Sequence, residues 1–301
     1  MPPIHIIAPF LNANGGDWRA IDMYLELRKN NEVYLWSQNQ VHKSMRQYPI
    51  RLVEPYKAIY PREGTLYVCG TATAIGHWYE ASTFSRIVLI HNLYDQDIFY
   101  RAMHRLSLNG SRQIDIAYAS ELVKSSIGLP GEILYPLPHH ERFTPLPRKS
   151  SKDVQFTLGR ISSDDIRKHH FLDIPLYKEL SNNGIHIKII GGTCLAPWLG
   201  KDKNIELLTT IPNHEVPEML STFDCFFYRV SSHWKEAFGI VVAEAILSGL
   251  PVVCYNEGGY TEFIKGKKNG FLFETNAEAI DIVFSLKSKI DLCHKSNHLE
   301  Y

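Results

Sequence analysis

Short β-branched and aromatic runs alternate with longer amphipathic stretches along the whole chain. In the first half, strand-length apolar runs fall at residues 4–8, 33–36, 66–69, 87–91, 114–119 and 132–135. In the second half they fall at 154–158, 186–190, 205–208, 225–228, 252–255 and 271–273. Helix-length segments lie between them at 18–29, 98–106, 120–128, 172–182, 216–223, 239–248 and 277–288. Runs such as Ile87-Val-Leu-Ile90 are apolar at every position, the pattern of a strand covered on both faces in a parallel sheet. Strands alternating with helices predict an α/β architecture.

Twelve candidate strands exceed one comfortable sheet, so two doubly wound domains are expected. A chain of 301 residues has room for both. The break is expected within 136–153, which holds Pro136, Pro138, Pro145 and Pro147 and then the polar run Arg148-Lys-Ser-Ser-Lys152. That gives an N-terminal domain over 1–146 and a C-terminal domain over 147–301.

Composition narrows the classes. Basic and acidic residues balance at 32 each, which removes any bulk electrostatic case for a nucleic-acid partner. Cys69, Cys194, Cys225, Cys254 and Cys293 are odd in number and form no Cys-x-x-Cys, and three of them sit in apolar runs. This usage, with no basic segment before an apolar stretch at the N-terminus, predicts a cytoplasmic protein. The longest apolar run, 238–255, is interrupted by Glu244, Ser248 and Pro251 and is too short to span a bilayer. Phe99, Met103 and Leu106 share one face of the 98–106 helix, with Arg101 and Arg105 on another. A peripheral membrane contact of the N-terminal domain is one reading of this pattern, and an ordinary helix packed on its sheet is the favoured one. Basic residues interleaved with tyrosines over 43–62 make the same suggestion.

The chemistry concentrates late in the chain. Glu236 and Glu244 stand with seven residues between them, around Phe238-Gly239. An apolar helix then leads into Pro251-Val-Val-Cys-Tyr255, and a tight turn, Gly258-Gly-Tyr-Thr-Glu262, follows. This suggests a polyhydroxylated ligand held against backbone amides. Eight positions of one continuous helix would put the two Cα atoms about 12 Å apart. That is too far for the paired carboxyls of a retaining glycoside hydrolase, about 5–5.5 Å apart. The Gly15-Gly16 step follows the first strand and precedes the first helix, where backbone N–H groups can approach a phosphate. There is no Gly-x-Gly-x-x-Gly in that loop and no acid after Leu35-Trp36, which disfavours a nicotinamide dehydrogenase. A Walker lysine and a nucleophile-elbow serine are also missing. The histidines lack metal-ligand spacing, so no bound metal centre is expected.

The ordered run from Glu236 to Glu262 resembles the retaining, nucleotide-sugar-dependent glycosyltransferases of family 4. Those enzymes carry a Glu-x7-Glu motif, a Pro-Val-Val strand and a Gly-Gly-x-x-Glu turn in the same order. The resemblance is clearest over 154–273 and fainter over 1–146. It implies the GT-B fold: two Rossmann-like domains facing a central cleft, the acceptor in the first and the donor mainly in the second. It implies retaining, metal-independent transfer of a sugar from a nucleotide-diphosphate sugar to a hydroxyl of a glycan or lipid-linked acceptor. The nucleotide sugar is a substrate, and no cofactor is implied. On this resemblance Glu236 contacts the donor sugar and Glu244 binds ribose hydroxyls. Ala237, Phe238, Gly239 and Ile240 present backbone around the sugar or phosphate. Arg160 and Lys168, in the loop after the first strand of the second domain, clamp the diphosphate. The loop departs from the family pattern in its length, in Asp164 and Asp165, and in His169 where glycine is common, so Arg167 is an alternative to Lys168. His91 ends a strand near the donor sugar and leaving phosphate and either orients both or holds a sugar hydroxyl. Few residues remain after 277 for the helix that in the family crosses back to the first domain. A nucleotide-sugar epimerase on the same fold and a non-catalytic nucleotide-sugar-binding partner subunit stay open.

Overall fold

The computed structural model describes residues 2–108, 113–145, 155–266 and 268–296, with backbone only for residues 140 and 291–296. The chain divides into two compact units, Met1–His139 and His140–Tyr301. The sequence-based boundary at 146/147, together with Pro147 and residues 148–152, lies outside the described residues.

The first unit runs β1 Ile4–Ile7, α1 Gly15–Leu27, β2 Val33–Ser37, β3 Ile50–Leu52, β4 Glu63–Cys69 and β5 Thr83–His91. It continues through α2 Gln96–Ser107, β6 Ile114–Tyr118, α3 Glu121–Ile127 and β7 Glu132–Ile133. Its strands form one parallel sheet in the order β3-β2-β1-β4-β5-β6-β7. The strand β3 is absent from the sequence reading because its three residues, Ile-Arg-Leu, lie on the sheet edge and leave Arg51 and Leu52 exposed. In α2, Phe99 and Leu106 are buried against the unit, which is the packed arrangement that the sequence favours for this helix.

The second unit runs β8 Thr157–Ile161, α4 Asp173–Asn182, β9 His186–Ile190, α5 Ala196–Leu199, β10 Ile205–Leu208 and α6 Val216–Leu220. It continues through β11 Cys225–Tyr228, α7 Ile240–Leu247, β12 Val252–Tyr255, α8 Thr261–Ile264, β13 Gly270–Phe273 and α9 Asn276–Ser296. Its sheet is also parallel, ordered β10-β9-β8-β11-β12-β13. In each sheet the order reverses beside the first strand, between β1 and β4 and between β8 and β11. A crevice opens at such a point at the carboxyl ends of the strands, where open α/β sheets bind ligands. Among the described residues no helix is long and apolar enough to cross a membrane.

The sequence places the first strand of the second unit at 154–158, but it occupies Thr157–Ile161. Gly159 and Arg160 read as loop residues and are in fact strand residues. A side chain at Gly159 would collide with the Phe223 ring, so glycine there lets Phe223 pack directly on the strand. Residue 154 itself lies outside the described residues.

Candidate active site

In the second unit, four segments end at the carboxyl edge of the sheet: β8 and its loop, β11 and its loop, the start of α7, and the turn after β12. Arg160 belongs to β8 rather than to the following loop, and it is only 1% exposed. One terminal nitrogen of its guanidinium donates to the Lys168 carbonyl, and the group lies over the Tyr228 ring at 4.9 Å. Among the described residues its Nε and Nη1 find no acceptor at hydrogen-bond distance. A solvated-loop reading of Arg160 is therefore excluded.

The loop separates the two basic residues left open by the sequence. Lys168 Nζ donates to Glu236 Oε2 at 2.8 Å and sits over the Trp234 ring at 4.4 Å. Arg167 instead turns outward and forks onto Asp165, with Nε to Oδ2 at 3.0 Å and Nη2 to Oδ2 at 2.6 Å. That arginine holds the Asp165 carboxyl down at about 2. His169 is buried, with Nε2 on the Gly191 carbonyl at 2.8 Å, so it ties the loop after β8 to the end of β9. Desolvation, reinforced by Arg160, pushes its pKa down to about 3 and keeps it neutral. Asp164 adds a second tie, accepting from the Cys194 N–H at 2.9 Å. The acids that make this loop unusual in sequence thus brace it.

Glu236 does not lie on the helix that the motif spacing suggested. It precedes Gly239, and α7 begins only at Ile240, so the helical rise does not set its separation from Glu244. Glu236 Oε2 accepts from Tyr228 Oη at 2.8 Å as well as from Lys168. The double-glycine turn fixes its backbone: Gly259 N–H donates to the Glu236 carbonyl at 2.9 Å. A side chain on Gly259 would strike the Ala237 carbonyl. Gly239 sits in the left-handed region, with φ +82°, and no side chain caps α7. The amides at that helix start face outward from a positive dipole end. Phe238 is buried against Phe263, with ring centroids 4.7 Å apart, and Glu244 is buried on α7.

At the carboxyl edge of the first unit, His91 closes β5, fully buried against Phe99. Its Nδ1 pairs with Thr71 Oγ1 at 3.1 Å, while Nε2 has no partner among the described residues. Desolvation lowers its pKa to about 4, so it is a neutral hydrogen-bonding group near pH 7. In the Gly15-Gly16 turn, side chains of the turn itself accept from several of its amides. Asn14 Oδ1 accepts from both Gly16 N–H, at 3.0 Å, and Asp17 N–H, at 3.1 Å. Asp17 in turn accepts from Phe10 N–H at 2.8 Å and from Asn12 and Asn14. These bonds close a capping box on α1 and occupy the Gly16 donor. Among the described residues no three histidines, cysteines or carboxylates gather as a metal site.

Sequence reasoning missed Tyr228, Trp234 and the buried Arg229–Asp173 pair, in which Arg229 Nε meets Oδ1 at 2.6 Å. The available signal was the interruption of an apolar strand by Tyr228-Arg229.

The architecture has close counterparts among solved structures. Anabaena HepE (Alr3699), crystallised with UDP and glucose, superposes with a TM-score of 0.69 at 16% identity, covering 94% of this chain and 89% of its own. A glycosyltransferase from Rickettsia africae ESF-5 superposes at 0.70 and 14% identity, covering 96% and 89%. These likenesses assign the GT-B fold of two Rossmann-like parallel-sheet units. Spore coat protein SA of Bacillus subtilis (strain 168) is 30% identical over 94 residues, 31% of this chain but only 22% of that protein. The family model for glycosyl transferases group 1 matches residues 141–296, just over half of the chain and nearly all of the second unit. The chain therefore belongs to the glycosyl transferases of group 1.

Proposed function

We propose that the protein transfers a sugar from a nucleotide-diphosphate sugar to an acceptor hydroxyl with retention of anomeric configuration, as a family 4 enzyme, without a bound metal. One observation carries this reading. The buried guanidinium of Arg160, the Lys168–Glu236 pair and the uncapped start of α7 converge on one sheet edge in the second unit.

Breaking the bond from the anomeric carbon to the diphosphate oxygen gathers negative charge on the leaving group. Fixed cations and oriented N–H groups stabilise that charge most in the transition state. Arg160 and Lys168 supply the cations, and the amides of Gly239 and Ile240 supply the dipole. Glu236 accepts hydrogen bonds from sugar hydroxyls, and Glu244 from ribose hydroxyls. The acceptor oxygen bonds to the anomeric carbon on the face the diphosphate leaves, and its proton passes to the departing diphosphate oxygen. The acceptor is a glycan or glycolipid hydroxyl.

UDP-glucose is the first donor to test, because the HepE structures hold UDP with glucose and UDP-glucose. The decisive experiment is thermal unfolding and calorimetry of the whole chain against UDP, other nucleoside diphosphates and their sugars, since a specific ligand raises stability by mass action. NMR of the product anomer and rates with a chelator follow. An inverted product or chelator-sensitive turnover overturns the retaining or metal-free element. No stabilisation by any nucleotide overturns the reading as a whole.

A further inference from the structure

Tyr228 closes β11, the strand beside β8 at the switch point of the second sheet. Its hydroxyl donates to Glu236 Oε2 at 2.8 Å, the same oxygen that Lys168 Nζ reaches at 2.8 Å. Its ring face carries the Arg160 guanidinium at 4.9 Å. Its edge meets Tyr260 at 5.7 Å and 87°, and Tyr260 is the residue that follows the double glycine and packs beneath Gly239. One side chain therefore touches the cation, the carboxylate and the turn that shapes the helix start.

The two donors converge on Oε2, and among the described residues Oε1 accepts no hydrogen bond. Holding one oxygen with two donors fixes the torsions of an otherwise rotatable carboxylate and leaves the other oxygen free for a ligand. The Tyr228 ring is buried, and desolvation raises the phenol well above its ordinary pKa, so near pH 7 it is always a donor to Glu236.

We propose that Tyr228 is a positioning residue: it locks Glu236 through Oε2, presents Oε1 to the donor sugar, and keeps Arg160 aligned through its ring. This rests on the glycosyl-transfer reading. Tyr228 contacts no reacting atom, and its effect passes through Glu236.

Tyr228→Phe removes the hydroxyl and keeps the ring under Arg160. With the donor identified by calorimetry, kcat should fall about 10- to 100-fold, the loss expected for a hydrogen bond to a charged group. Donor Kd should change less than about threefold, because the ring and Arg160 are retained. In a kinetic double-mutant cycle with Glu236→Gln, the two losses should not multiply: the double variant should be no slower than Glu236→Gln alone. Wild-type kcat in Tyr228→Phe, or losses that multiply in full, would overturn the inference. A parallel cycle on Tm without ligand needs no turnover, and less-than-additive losses are expected there. Additive Tm losses overturn the inference even if the protein transfers sugar. Nucleotide binding that is absent from the wild type, beside a coupled Tm cycle, instead sinks the glycosyl-transfer reading and with it the catalytic purpose of the lock.

Discussion

At the carboxyl edge of the first sheet, the turn after β1 engages several of its own donors. Asn14 and Asp17 gather the amides of Phe10, Asn12, Asn14, Gly16 and Asp17 and cap α1. At the same edge of the second sheet, α7 starts from a left-handed glycine with no side-chain cap. Beside it lie a buried guanidinium with two nitrogens and a carboxylate with one oxygen that have no hydrogen-bond partner among the described residues. Both units are doubly wound parallel sheets with a switch point beside their first strand. Topology therefore offers each a crevice, and side chains decide which polar groups each leaves unpaired among the described residues: His91 Nε2 in the first and the Arg160 nitrogens in the second.

Their buried arginines differ in the same sense. Arg229 is held by the carboxylate of Asp173 and by Asn276, whereas Arg19 reaches only neutral oxygens, Asn92 Oδ1 and the Leu134 carbonyl. Burial lowers the Arg19 pKa to about 10, since no carboxylate among the described residues pairs with it. Removing Asp173 strands a buried charge, so Asp173→Ala should destabilise the protein by about 3–5 kcal/mol in denaturant unfolding. Arg19→Met should cost about 1–3 kcal/mol, because it leaves neutral acceptors unpaired. Equal losses from the two variants would erase the contrast.

The next effect concerns turnover. Arg160→Met keeps the apolar stem and deletes the guanidinium. It should lower kcat/KM by about 100- to 1000-fold, as for other transition-state charge stabilisers. Nucleoside diphosphate affinity should fall by less. Equal falls would mean that Arg160 binds ground and transition states alike.

The smallest effect sharpens the comparison most. Asn14→Ala should cost about 1 kcal/mol of stability through loss of the α1 cap. Diphosphate affinity should stay within about twofold of wild type. A tenfold change in either direction would place the phosphate on the Gly15-Gly16 turn and undo the distinction between the two edges.

Much of the fold was legible because period and composition act locally. Runs such as Ile87-Val-Leu-Ile90 could only be strands covered on both faces, and that is how β5 sits. The motif around Glu236 announced its own turn, because Gly239 and Gly259 stand where a left-handed φ and a close backbone approach exclude side chains. Arg160 was misplaced by a few residues of register, since glycine and arginine argue locally against a strand. The Phe223 ring that needs the space at Gly159 is distant in sequence.

By itself the sequence determined the α/β alternation, the division into two units near the proline-rich segment, and the identity of the charged residues around the motif. Only the tertiary structure decided which of them meet. It set Lys168 on Glu236 and over the Trp234 ring, and Arg167 on Asp165 with its guanidinium 5.4 Å from the centre of the same ring. It occupied the Gly16 amide with Asn14 and put Tyr228 at the centre of the site. Those outcomes depend on desolvation and on hydrogen bonds between residues as far apart as Lys168 and Glu236. No periodicity along the chain encodes such pairings, because they exist only once the strands have taken their order in the sheet.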